Sequence, residues 1–279
     1  MENDLVVNPT DFERKKKALM HGGARQLHVV ADFDKTLTTA FHNGEKRNSL
    51  VEIIRKYKYL SPEYVSEAYG LYEKYHPMEI DLTLDLQTKK SKMLEWWTTH
   101  VKRMSHYGLN REIVERIVRE QPLNARPGLG PFLDTLNQKN IPLLILSAGN
   151  SDFIEGLLKK EGLWRANIHV VANQLAYDDS GRVMGYKGKI IHSLNKSEAV
   201  VKGTPYEGMI RGRRNVILLG DNFDDVKMLA EFDYDTVIKV GFLNDHVDDL
   251  RESFSRVYDV LILHDGPIYF VNQLIEEIK

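Results

Sequence analysis

Asp32 and Asp34 stand two residues apart, directly behind Leu27-His28-Val29-Val30-Ala31, a short apolar run of the kind that forms a buried strand. Positions i and i+2 of an extended segment point to the same side, so the two carboxylates crowd. Crowded acids at the mouth of a sheet repel, and one of them tends to stay protonated unless a cation lies between. Thr36 adds a hydroxyl and completes an Asp-x-Asp-x-Thr pattern. Taken alone, the pair reads equally well as two aspartates capping turns. Asp221 and Asp225, one helical turn apart, follow a second apolar run, Val216 to Leu219. Hard oxygen ligands from Asp32, Asp34, Asp221 and Asp225, with water left in the shell, suit Mg2+.

A site that binds phosphate also needs donors. Ser147 ends a third apolar run, Ile141 to Leu146, and Ala148 and Gly149 follow it before a helical pattern. A hydroxyl with backbone N–H groups at a helix N-terminus is an anion site, although many strand-to-helix turns have this composition. Lys196, in Leu194-Asn195-Lys196-Ser197, would balance the charge. By itself, a lysine in such a place is more often a solvated one.

The three apolar runs alternate with helical patterns at Phe153 to Leu158 and Val226 to Ala230. That alternation implies a parallel sheet covered on both faces. In such sheets ligands bind outside the carboxyl ends of the strands, and all three runs place polar, mostly acidic residues there. Asn8-Pro9-Thr10 starts a helix that Gly22-Gly23 stops. From about Asn48 to Asn124 the pattern is helical throughout. Asn48 caps one helix, Ser61-Pro62-Glu63 opens another, Met93, Trp97, Val101 and Met104 repeat at helical spacing, and Asn110 opens a fourth. This block reads as a lid inserted into the core, with Arg126-Pro127-Gly128 marking the return. Val170 to Tyr177 and Arg182 to Tyr186, about the turn Asp178-Asp179-Ser180-Gly181, read as a β-hairpin.

The bulk numbers exclude several classes. The 279 residues carry a formal net charge of −2, which offers no field to recruit nucleic acid or an acidic membrane. Lys15-Lys16-Lys17 and Arg211-Gly212-Arg213-Arg214 are too short to change that reading. There is no cysteine, hence no disulfide, thiolate metal site or cysteine nucleophile. Met1 to Thr10 lacks the apolar core of a signal peptide, and no apolar run reaches bilayer length. A soluble, cytoplasmic, monomeric protein is the expectation.

Asp32-Phe33-Asp34-Lys35-Thr36-Leu37-Thr38, Ser147, Lys196 and Gly220-Asp221-Asn222-Phe223-Asp224-Asp225 resemble, in order, the four motifs of the haloacid dehalogenase superfamily. Tyr75 to Asp81, Leu94 to Thr98, Gly185 to His192, Leu218 to Asp225 and Val240 to Asp245 resemble the cytosolic pyrimidine 5′-nucleotidases, the type III nucleotidases, from about Arg14 to the end. The resemblance implies an α/β fold, a Rossmann-like parallel-sheet core of residues 1–40 and 125–279 with an inserted all-helical cap domain of residues 41–124. It implies Asp32 as nucleophile forming an aspartyl-phosphate and Asp34 as acid and base. Mg2+ would lie on Asp32, the Asp34 backbone carbonyl and Asp221, with Asp225 orienting its water. Ser147, Ala148 N–H and Lys196 would hold the phosphoryl oxygens, and Thr36 would support the loop. Glu79 matches the acid that reads the base. Trp97 completes a tryptophan pair like that of the member acting on 7-methylguanosine monophosphate. His100 falls where a serine contacts the base, Lys35 where a methionine is usual, and the loop from Thr39 to Asn48 is shorter. The implied substrates are nucleoside 5′-monophosphates, CMP and UMP, with 7-methylguanosine monophosphate beside them. The rival is a phosphoserine or other small-molecule phosphatase of the same superfamily.

Overall fold

The structure, a computed structural model, describes residues 4–46, 49–81, 83–197, 201–230 and 233–279. The chain opens with β1 (Asp4–Val6) and α1 (Pro9–Gly22), which Asn8 caps by accepting from the Asp11 N–H at 3.1 Å. β2 (Leu27–Ala31) follows, then a short hairpin of β3 (Phe41–His42) and β4 (Glu45–Lys46). Four helices come next: α2 (Leu50–Lys56), α3 (Pro62–Ile80), α4 (Leu86–His106) and α5 (Arg111–Glu120). The chain then runs through α6 (Leu129–Gln138), β5 (Leu143–Asn150), α7 (Ser151–Lys160), β6 (Ile168–Asn173), β7 (Leu175–Tyr177) and β8 (Val183–Tyr186). It closes with α8 (Pro205–Ile210), β9 (Asn215–Gly220), β10 (Thr236–Leu243), α9 (Val247–Ser255), β11 (Val260–Leu263) and α10 (Tyr269–Glu276).

Seven strands form one sheet in the order β1-β11-β10-β9-β2-β5-β6, parallel throughout except for β1 at the edge. Side chains alternate across it. Val29, Ala31, Ile217 and Leu219 enter the larger apolar core, while Val30, Val216 and Leu218 enter a second one with Tyr206 and Met228. Burial on both faces is why these strands are uniformly apolar rather than alternating. From β2 the chain passes to β5 and β6 on one side and later to β9, β10 and β11 on the other. The cleft at the carboxyl ends of β2 and β9 is therefore the switch point where such sheets bind ligands.

The helical block follows its sequence signals. Ser61 and Asn110 cap α3 and α5 through the N–H groups of Tyr64 and Ile113. The cap expected at Asn48 lies outside the described residues; α2 is opened by Ser49, whose capping box with Glu52 is complete. Three details differ from the sequence reading. The segment ahead of α2 is a β-hairpin, so the first residues of the inserted block are extended. Val170 to Asn173 belong to β6 of the main sheet, and only β7 and β8 form the expected hairpin. The break comes because Asn173 turns its amide to other backbone groups and the Leu175 N–H is taken by Asp152. Finally, Asp4–Val6, which carries no strand signal in the sequence, pairs with β11.

Candidate active site

Asp32 leaves the end of β2 with its N–H donated to Leu219 O of β9 at 3.0 Å. Its carboxylate is buried and accepts a hydrogen bond from Lys196 Nζ, which also donates to Asp225 Oδ1 at 3.0 Å. Lys196 is thus not a solvated lysine but a buried bridge between two strand-end acids. Burial opposes its charge, yet Asp225 and Asp32 outweigh that and hold its pKa above the ordinary range. The lysine reaches this place from a loop that is internally bonded. Asn195 donates to Ile190 O and accepts from the His192 N–H, and Asn173 both donates to Ile191 O and accepts from the Ile191 N–H. Asn173 also donates to Ala148 O at 2.8 Å, tying the lysine loop to the Ser147 turn.

Asp225 has a second task. Its Oδ2 accepts from the N–H groups of Asp221 and Asn222, both at 3.0 Å, and shapes the turn after β9. Gly220 is required there: a Cβ on it would lie 2.5 Å from Asp225 Cβ and 2.9 Å from Tyr258 Oη. Tyr258, which the sequence reading passed over, donates to Asn222 O at 2.6 Å and backs the turn from β11's side.

Asp32, Asp221 and Asp225 each offer an oxygen within 4.8 Å of the others, the one such cluster among the described residues. Burial, then the neighbouring acids, push the Asp221 carboxyl well up. Burial, countered by Lys196 and reinforced by Asp225 and Asp34, pushes Asp32 up to about 7. Acids held together against their repulsion, with only oxygen donors, fit a hard divalent cation.

Ser147 is buried within β5, which runs on to Asn150, and its Oγ accepts from the Gly149 N–H at 2.9 Å. A Cβ on Gly149 would stand 3.1 Å from Ser147 Oγ and 3.7 Å from Asp34 Oδ2, so the serine and the second aspartate flank one backbone turn. Ala148 lies between, and α7 begins just after under the cap of Asn150. Thr36 is buried with no hydrogen-bond partner for its hydroxyl among the described residues. Its carbonyl, which accepts from Arg126 Nε at 2.6 Å, is what ties the loop.

Helices α3 and α4 supply the other wall. Glu79, in the last turn of α3, accepts a 2.7 Å hydrogen bond from Ser193 Oγ of the lysine loop and faces His76 Nδ1 at 3.4 Å. Trp96 of α4 stacks on Tyr75 of α3, whereas Trp97 faces Gly149, Asn150 and Tyr186 across a void of about 20 Å³, room for one water. His100 is buried and bonded to Tyr64 Oη at 2.9 Å; burial, with Arg55 adding, lowers its pKa to about 4. A larger hollow of about 230 Å³ opens beside Asp34, with Phe33, Lys35, Tyr57 and Phe153 in its walls.

The model of the family described as pyrimidine 5′-nucleotidase (UMPH-1) matches residues 35–279. A 7-methylguanosine phosphate-specific 5′-nucleotidase of Homo sapiens is 34% identical over 275 residues, covering 98% of this chain and 92% of its own. The crystal structure of cytosolic 5′-nucleotidase IIIB bound to cytidine matches with a TM-score of 0.87 at 25% identity, over 99% of this chain and 94% of that one. A phosphoserine phosphohydrolase-like protein of Francisella tularensis matches at 0.55 and 16% identity, over 89% and 99%, a likeness of fold alone. With the strand-end acids, the buried lysine and a match over nearly all of its length, the chain belongs to the pyrimidine 5′-nucleotidase (UMPH-1) family of phosphate-monoester hydrolases.

Proposed function

We propose that the chain is a Mg2+-dependent 5′-nucleotidase that dephosphorylates nucleoside 5′-monophosphates through a phosphorylated Asp32. The observation that carries this is the meeting of Asp32, Asp221 and Asp225 within 4.8 Å, with buried Lys196 bridging Asp32 and Asp225. Asp32, the Asp34 carbonyl and Asp221 would hold the ion, with Asp225 behind them. Bound there, Mg2+ supplies the positive charge that lets an anionic carboxylate approach an anionic phosphate.

The residues then divide the work. An Asp32 oxygen bonds to phosphorus as the bond from phosphorus to the nucleoside O5′ breaks, and Asp34 gives its proton to O5′. Water next attacks the same phosphorus, Asp34 takes a proton from it, and the bond to Asp32 breaks to release inorganic phosphate. Lys196, Ser147 and the Ala148 N–H hold the phosphoryl oxygens meanwhile.

Glu79 and Trp97 would read the base. A carboxylate accepts from the amino group of cytosine, or from N1–H and the exocyclic amine of guanine. An indole face favours the positive ring of 7-methylguanine. The specificity named for the human relative supports the second substrate, and the cytidine in the solved neighbour supports the first. His100, three residues on from Trp97 in α4, is buried and bonded to Tyr64. The 20 Å³ void at Trp97 is too small for a base, so binding there requires the cap to move from this position. Residues 41–124 are that cap, and 1–40 with 125–279 the core. A cytoplasmic monomer belongs to the same proposal. Among the described residues no helix is long and apolar enough to cross a membrane.

The test is phosphate release from CMP, UMP, 7-methylguanosine monophosphate, AMP, GMP and phosphoserine, with Mg2+ and with chelator. Turnover of CMP or the methylated purine only with metal is the expected result. Phosphoserine outrunning every nucleotide would overturn the reading.

A further inference from the structure

Arg126 is almost wholly buried, and one guanidinium gathers the carbonyls of the loop that carries Asp34. Its Nη2 donates to Lys35 O at 2.5 Å and Thr38 O at 3.1 Å, its Nε to Thr36 O at 2.6 Å, and its Nη1 to Gly266 O at 2.6 Å. The plane lies 4.2 Å from the Phe242 ring centroid, and Asp265 approaches Nη1 at 3.3 Å.

The loop needs such a clamp. Lys35 has φ of +62°, a left-handed conformation that a side chain with a Cβ rarely adopts. Phe33 O already takes the N–H groups of Leu37 and Thr38, which leaves the next carbonyls turned inward together. Buried carbonyls must be paired, and dipoles converging on one point favour a cation there. Asn244 reinforces the corner, accepting from Arg126 Nη2 at 3.1 Å and donating to Lys35 O at 2.9 Å. Asp265 fixes the far end of the loop through the N–H groups of Ala40 and Phe41. A lysine could supply the charge but not the planar fork that reaches several acceptors at once.

We propose that Arg126, with Asn244 beside it, is a positioning residue for Asp34: by holding the carbonyls of 35, 36 and 38 it fixes the turn that aims the Asp34 carboxyl at the leaving-group oxygen. This rests on the reading of Asp34 as the proton donor. Asp32 is anchored separately, through Leu219 O and Lys196. Disturbing Arg126 therefore impairs proton delivery before it impairs attack on phosphorus.

The test uses Arg126→Lys, Asn244→Ala and Asp34→Asn in the full chain, each assayed at saturating Mg2+ with CMP and with p-nitrophenyl phosphate, whose leaving group barely needs a proton. For Arg126→Lys, kcat on CMP falls about 10- to 100-fold, the loss that small misplacement of a catalytic group brings, while p-nitrophenyl phosphate loses under about 3-fold. Asn244→Ala shows the same split at a smaller size, about 3- to 10-fold on CMP. If Arg126→Lys does not fold, Asn244→Ala decides alone. Equal losses on both substrates, while Asp34→Asn does discriminate between them, would overturn the positioning role and leave Arg126 a scaffold residue. Equal losses in Asp34→Asn itself would remove the proton donor, and the proposal with it.

Discussion

Ser193 Oγ donates a 2.7 Å hydrogen bond to Glu79 Oε1, joining residues 114 positions apart on opposite sides of the cleft. Glu79 belongs to the last turn of α3, and Ser193 lies three residues before Lys196 in the loop that bridges Asp32 and Asp225. One bond thus links the carboxylate that would read the base to the loop that would hold the phosphate. Under the proposed function, a base with amino donors would take the place of the serine hydroxyl at Glu79, since a charged acceptor gains most from a strong donor.

Specificity follows from that pair and Trp97. CMP and 7-methylguanosine monophosphate are both expected to be good substrates, and AMP and unmodified GMP poor ones. Glu79→Ala lowers kcat/KM for both good substrates. Trp97→Ala should cost the methylated purine about 30-fold more than CMP, the size of a desolvated cation–π contact. AMP turning over as fast as CMP would contradict this pocket. Equal effects of Trp97→Ala on both good substrates would instead direct the base to the hollow beside Asp34.

Asp32→Asn abolishes turnover, because an amide cannot form the acyl phosphate. Nucleotide binding, measured by calorimetry with excess Mg2+, stays within a few-fold of the parent. A mutant that kept more than a few per cent of activity would remove Asp32 as nucleophile.

Gly220→Ala forces a methyl group to within 2.5 Å of Asp225 Cβ and 2.7 Å of its Oδ2. Both backbone and acid must shift, at about 1–3 kcal/mol of stability, the usual toll of overpacking. Thermal melting and Mg2+ titration measure the two consequences, a lower Tm and weaker activation. Parent-like values in both would show that the turn has slack which the geometry denies.

His100 gives a signed pH effect. Burial, aided by Arg55, holds its folded pKa at about 4 against 6.5 for an ordinary histidine. The native state keeps the ring neutral while the unfolded chain takes up a proton, so stability is fully present above pH 6.5. It falls as pH drops toward 4, by up to about 3 kcal/mol. His192, also held at about 4 by burial, titrates in the same window, so the comparison must be between variants. His100→Gln should lose less Tm than the parent between pH 7 and 4.5. Parallel losses would mean that His100 is not what acid attacks.

Where the candidate site's acids would lie was legible in the sequence. A strand buried on both faces must be apolar along its length, so acids placed directly behind Leu27 to Ala31 and Val216 to Leu219 announced a strand-end cleft. Capping is local too, and Asn8, Ser61 and Asn110 begin helices as their side chains require. The family motifs singled out Lys196, although nothing in its own neighbourhood separated it from a solvated lysine.

Tertiary structure alone decided the rest. Nothing near Val170 told that it would join the main sheet beside β5, because strand pairing depends on a partner chosen elsewhere in the chain. Arg126 read only as part of the segment that marks the return to the core, yet its acceptors at Thr36 and Gly266 lie 90 and 140 residues away. Ser193 carried no signal, and neither did Tyr258. Periodicity and capping record what a residue owes to neighbours within a few positions. The partners of a buried guanidinium, or of a hydroxyl across a cleft, are set by how distant elements pack, and that is written in no local stretch of this sequence.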